Sequence, residues 1–128
     1  MSKEYTNELL LDFGVDGNKL IPVVTQDFIS KEVLILSFAN KEAFEETLKS
    51  GYATYYSRSR NELWKKGLTS GDMLKIEEIR INCEQNSLLY MVKPMGKGAC
   101  HAKKEDGNPH TSCYYRKIEG DRLEFLEI

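Results

Sequence analysis

Cysteine is scarce in this chain of 128 residues: Cys83, Cys100 and Cys113 are all there is. An odd count of three, with no apolar leader in Met1-Ser2-Lys3-Glu4-Tyr5, argues against a disulfide framework and makes a reducing cytoplasm the expected compartment. Long hydrophobic runs are missing as well. Val33-Leu34-Ile35-Leu36 is the longest, far short of a bilayer span, so no membrane partner is expected. Charge of one sign is not in excess: 18 basic against 20 acidic residues give −2, which offers no general attraction for nucleic acid. Repeats and low-complexity segments are absent too. What remains is one expected domain over residues 1–128, with 41% hydrophobic residues to build a core.

Local patterns predict a β-rich α+β fold with a single clear helix. Leu20–Thr25 and Val33–Phe38 are short, apolar and β-branched, and Asp27–Lys31 between them makes a hairpin. Asn40 is a suitable helix N-cap, Ala43, Phe44, Thr47 and Leu48 make one helical face, and Gly51 suits the stop. Tyr52–Tyr56 favours a strand, and the polar segment Ser57–Asp72 lacks periodicity and reads as an ordered loop. Ile76–Cys83, with imperfect alternation, and Ser87–Val92 pair about Gln85-Asn86. Cys113–Ile118 and Arg122–Leu126 pair about Gly120-Asp121. Strands and helices do not alternate, so a parallel doubly wound sheet is not expected.

The scarce cysteines are also the first chemical signal. Three thiolates and one open position can hold a catalytic zinc and leave room for a reacting water, which makes metal-assisted hydrolysis the first reading. Their spacing is not that of a Cys-x-x-Cys knuckle, and three buried thiols acting as small hydrophobes remain an alternative. His101 follows Cys100 directly. It reads as a fourth ligand, a general acid/base or an exposed histidine; if Cys100 binds metal, an extended segment would point His101 past it towards substrate. Ser57 to Gly71 gathers Arg58, Arg60, Lys66, Thr69 and Ser70, donors of the kind that cradle phosphate, around Trp64, which could stack on a base or anchor the loop. On spacing alone, a solvated basic loop around a buried tryptophan is the simpler account.

Read in order, these motifs resemble the phosphoribosyl-AMP cyclohydrolase family of histidine biosynthesis. The matching stretches include Leu20-Ile21-Pro22, Asn40-Lys41-Glu42-Ala43, Ser57-Arg58-Ser59-Arg60, Leu63-Trp64-Lys65-Lys66-Gly67, Thr69-Ser70-Gly71, Ala99-Cys100-His101 and Ser112-Cys113-Tyr114-Tyr115-Arg116, spread over residues 14–117. The resemblance implies an interlocked homodimer with shared active sites. Its zinc would be held by Cys83 of one chain with Cys100 and Cys113 of the other. The activity it implies is hydrolysis of the N1–C6 bond of the adenine ring of phosphoribosyl-AMP. His101 would then move the proton and Asp72 would orient it or a water. Arg58, Arg60, Lys66, Thr69 and Ser70 would hold the phosphates, and Trp64 would wall the pocket.

Three departures from the family pattern stand out. Asn82, Glu84 and Asn86 occupy positions where the family places aspartates for magnesium, which reads as an eroded second metal site. Asp72 replaces a histidine after Thr-Ser-Gly. The stretch between Cys100 and Cys113 is longer than the family's, around Lys103 to His110. They leave two alternatives open: a paralogue that hydrolyses another purine-like nucleotide, and a non-catalytic zinc- or nucleotide-binding module.

Overall fold

A computed structural model describes residues 2–127. Met1 and Ile128, the ends of the expected domain, lie outside the described residues. The described residues are strand-rich with one helix, an α+β arrangement. Strands β1 (Ile21–Asp27) and β2 (Val33–Ala39) precede helix α1 (Lys41–Ser50). Then follow β3 (Thr54–Ser57), β4 (Glu62–Lys65), β5 (Leu74–Ile81), β6 (Leu88–Pro94), β7 (Arg116–Glu119) and β8 (Arg122–Phe125). The main sheet runs in the order β2-β1-β6-β5, and β3-β4 and β7-β8 are separate two-stranded ladders.

The first hairpin closes where the sequence predicts. Asp27 turns the chain by accepting the Ile29 and Ser30 amides at 2.8 and 3.0 Å. Ile21, Val23 and Thr25 alternate inward along β1 against Leu34 and Ile35 of β2. Asn40 caps α1 by accepting the Ala43 amide at 2.9 Å, and Gly51 ends it at φ 79° with its amide on the Thr47 carbonyl. Ala43, Phe44 and Thr47 face the core, whereas Leu48 is 57% exposed. At about 100° per residue, Leu48 sits about 140° round from Ala43, beyond the edge of the buried stripe.

Two elements differ from the sequence expectation. The expected loop Ser57–Asp72 contains β4, which pairs back on β3 from Thr54 opposite Lys65 to Ser57 opposite Glu62, with Asn61 at φ 51° just before the new strand. The strand expected from Cys113 begins only at Arg116. Cys113 is instead pinned by its amide to the Leu34 carbonyl at 2.8 Å, beside Ser112, whose hydroxyl donates to the Val33 carbonyl. The imperfect alternation of the Ile76 strand has a cause. A bulge between Ile76 and Glu78 leaves Glu77 unpaired and brings Ile76 and Ile79 together against the core.

The centre of the sheet joins distant segments. β1 and β6 pair in parallel, with Val23 beside Leu88 and Asp27 beside Val92, while β5 returns antiparallel on β6. Tyr55 and Tyr90 are fully buried below it, their rings 6.1 Å apart, and the Tyr55 hydroxyl shares a 2.7 Å hydrogen bond with Thr25. This sheet, with α1 and β3 packed beside it, is the floor on which the loops 66–72 and 95–113 stand.

Candidate active site

A cavity of about 750 Å³ opens between these loops. Its lining from the first stretch includes Arg60, Trp64, Lys66, Thr69, Ser70 and Asp72; from the second it includes Cys100 and His101. Eight residues singled out in the sequence are therefore brought together.

The first loop leaves β4 through Lys66, whose amide donates to the Ala53 carbonyl at 3.2 Å. Gly67 then turns at φ 77°, the Leu68 amide reaches the Lys65 carbonyl and the Gly71 amide reaches the Gly67 carbonyl at 2.8 Å. A side chain at Gly67 would run into the Asp72 backbone, so both the left-handed conformation and the close approach require glycine. Asp72 is fastened across the cavity, its Oδ1 accepting the Lys97 amide at 3.0 Å. No hydrogen bond joins Asp72 to His101 among the described residues.

The second loop is a narrow ribbon. The Ala99 amide reaches the Thr111 carbonyl, the Cys100 amide the His110 carbonyl, and the His110 amide the Ala102 carbonyl, each at 3.0–3.1 Å. This ribbon buries Cys100 and leaves His101 exposed, yet both line the cavity. It also returns the chain so that Cys113 interacts with Cys100. His110 is turned away, its ring stacked on Tyr115 with centroids 3.6 Å apart.

The electrostatics around the two thiols favour a cation. Cys113 is exposed as a residue, but its sulfur is sufficiently hemmed in that desolvation, with Cys100 alongside, pushes its pKa up to about 12. Two thiolates so close repel, and a soft metal ion is the partner that stabilises both. The Ala102 amide already donates to Cys100 Sγ at 3.4 Å. Lys66, only 6% exposed, has its pKa lowered by burial, an effect opposed by Cys113, Asp72 and Cys100. Its ammonium lies 5.6 Å from the Trp64 ring. The pair thus fits a thiolate-bound metal but is one sulfur short: no three His, Cys, Asp or Glu side chains converge to hold an ion among the described residues of one chain.

Cys83 stands elsewhere, exposed at the tip of the β5–β6 hairpin, beside a smaller cavity lined partly by residues 3–9. Its neighbours Asn82 and Asn86 are bound to each other. The Asn82 amide donates to Asn86 Oδ1 at 2.6 Å, and Asn82 Oδ1 accepts the Asn86 and Ser87 amides at 2.9 Å. Both side-chain oxygens are engaged in the turn and only Glu84 contributes a carboxylate, so this donor set does not fit magnesium.

Arg58 also lies outside the main cavity. Its guanidinium stacks 4.2 Å from the Phe38 ring, lining a neighbouring space of about 620 Å³ with Tyr56, Ser57 and Ser59. Trp64 borders both spaces and packs on Tyr55 at 5.7 Å.

The phosphoribosyl-AMP cyclohydrolase family model matches residues 35–115, from within β2 to just past Cys113, and thus spans both cavity loops. The chain belongs to the phosphoribosyl-AMP cyclohydrolase family. It is accordingly an enzyme. The phosphoribosyl-AMP cyclohydrolase of Archaeoglobus fulgidus is 50% identical over 113 residues, covering 88% of this chain and 98% of that protein. That of Desulfatibacillum aliphaticivorans is 48% identical over 113 residues, covering 88% of this chain and 85% of its own. The histidine biosynthesis bifunctional protein of Aquifex aeolicus is 43% identical over 116 residues, or 91% of this chain and 53% of that protein. No helix among the described residues is long and apolar enough to cross a membrane.

Sequence reasoning missed part of this cavity. Lys97 and Lys103 also line it; Lys97 falls in a Pro/Gly-rich connection, 93–98, and Lys103 in a polar loop, 103–110, and neither position reads as a site residue. The available signal was position: Lys97 lies between Gly96 and Gly98, and both lysines lie within three residues of Cys100.

Proposed function

We propose that the chain catalyses hydrolytic opening of the adenine ring of phosphoribosyl-AMP between N1 and C6, a step of histidine biosynthesis, in the cytoplasm. The observation that carries this reading is that Cys100, which meets Cys113, lines with His101 a cavity walled by cationic side chains. Cys100 and Cys113 would hold zinc together with Cys83 of a second copy, in an interlocked homodimer with shared sites. The separation of Cys83 from the other pair within one chain is what such sharing requires. Zinc, when bound, supplies Lewis acidity that lowers the pKa of a water towards neutrality.

The chain's own groups do the rest. C6 is electron-poor because N1 carries the ribosyl group. The His101 imidazole takes one proton from the water that attacks C6 and returns it to N1 as the N1–C6 bond breaks, while the proton left on the new C6 oxygen passes to the exocyclic imino nitrogen, leaving a carboxamide and a formimino group. Lys66, Arg60, Thr69 and Ser70 bind phosphate within the main cavity and Arg58 from the adjoining one, while Trp64, shared by both, stacks on the base. Asp72 fixes the Lys97 backbone and so keeps the cavity's shape.

A second reading, hydrolysis of another purine-like nucleotide, is favoured by the long loop 103–110 at the cavity's edge. Incubating zinc-loaded protein with phosphoribosyl-AMP and following absorbance of the opened product separates the two. Turnover is the expected result, and its absence rejects the first reading.

A further inference from the structure

Five cationic side chains line the main cavity, although the whole chain is slightly acidic. Two are otherwise engaged: Lys65 pairs with Glu46 at 3.3 Å, and Lys66 is buried beside the thiols. Arg60, Lys97 and Lys103 form no ion pair among the described residues. The backbones under Lys97 and Lys103 are both held in place. A Cβ at Gly96 would strike Asp72, and one at Gly98 would strike the Pro109 and His110 carbonyls. Lys97 therefore sits between two close-packed glycines, with its own amide on Asp72. Lys103 is bridged to Pro109, and the Lys104 amide closes the loop tip on the Asn108 carbonyl at 2.8 Å.

We propose that Lys97 and Lys103 form a specificity-determining anion subsite that takes one phosphomonoester end of the substrate, leaving Arg58 and Arg60 to the other. This rests on the functional reading above, because a substrate phosphorylated at both ends needs two such subsites. Flexible lysines usually bind anions weakly, since ordering them costs conformational entropy. Here the backbone under each is already fixed, so only the side chains remain to be ordered. The close contacts of Gly96 and Gly98 then have a purpose: they hold the segment carrying Lys97 against the cavity.

The test compares the wild type with the double variant Lys97→Ala/Lys103→Ala, whose exposed positions leave the core untouched. Calorimetric affinities for 5′-AMP and for ribose 5-phosphate are measured at two salt concentrations, together with zinc content and steady-state kinetics. The expected result is a fall of about tenfold in affinity for one of the two probes, with the other kept. The salt dependence should be shallower, zinc content the same, and KM raised with kcat within about twofold. The variant Lys97→Arg/Lys103→Arg should recover most of the lost affinity. Unchanged affinity for both probes overturns the subsite. Absence of turnover by the wild type would strike the reaction instead, and the two affinities still decide the subsite.

Discussion

The segment carrying Cys100 and Cys113 and the turn carrying Cys83 are held by opposite means. From Met95 to Cys113 the chain is tied to remote partners: Met95 to Met73, Lys97 to Asp72 and Cys113 to Leu34. The Cys83 turn is closed mainly from within, by the Asn82–Asn86 amide pair, at the end of a hairpin whose outer strand β5 is a sheet edge. Among the described residues its one distant tie is Gln85, which accepts the Leu10 amide at 2.7 Å and donates to the Glu8 carbonyl at 3.2 Å. Paired thiols need the whole tertiary structure to meet, whereas a lone thiol on a self-contained tip can be presented outward. That difference suits a site completed by another molecule.

Breaking the sulfur set gives the largest effect. Cys100→Ser, Cys113→Ser or Cys83→Ser should each abolish zinc retention and lower activity by about a thousandfold or more, as loss of a ligand removes the metal's chemistry. Refolding Cys83→Ser with Cys100→Ser subunits should then recover about a quarter of wild-type activity, because about half of the dimers are mixed and each has one intact site. No recovery would mean that the sulfurs are not shared. A smaller effect is expected from Asn82→Asp/Asn86→Asp. Two carboxylates cannot donate to each other, so urea titration in chelator should show a loss of about 1–2 kcal/mol, reversed by magnesium. Unchanged stability would show that the amide pair does not hold the turn. The mildest change is Gln85→Ala, with a cost of about 1 kcal/mol and faster amide exchange at Leu10. If exchange at Leu10 stays slow, something other than Gln85 anchors residues 3–10 to the turn.

Locally determined features were readable from the chain. Asn40 and Gly51 announce the ends of α1 because capping depends on adjacent backbone groups alone. The inward alternation of β1 is written in Ile21, Val23 and Thr25. Strand β4 was hidden because Glu62, Leu63, Trp64 and Lys65 are all at least partly exposed, so burial imposes little pattern on them. The parallel pairing of β1 with β6 leaves no local mark either. At the site, Cys100, His101 and the Ser57–Gly71 cluster were recognisable by residue type and order. The tie from Asp72 to the Lys97 amide depends on two loops meeting, and so do the roles of Gly96 and Lys97.

The pairing of Val23 with Leu88 bears on how the protein is made. While a ribosome is still adding the middle of the chain, β1 has β2 on one side and an open row of amides and carbonyls on the other. That row can be satisfied only after β6 has emerged, so the nascent first half carries a temporarily sticky border. Synthesis that stalls before Leu88 should therefore leave a fragment that aggregates or needs a chaperone, even though its helix and first hairpin are already specified.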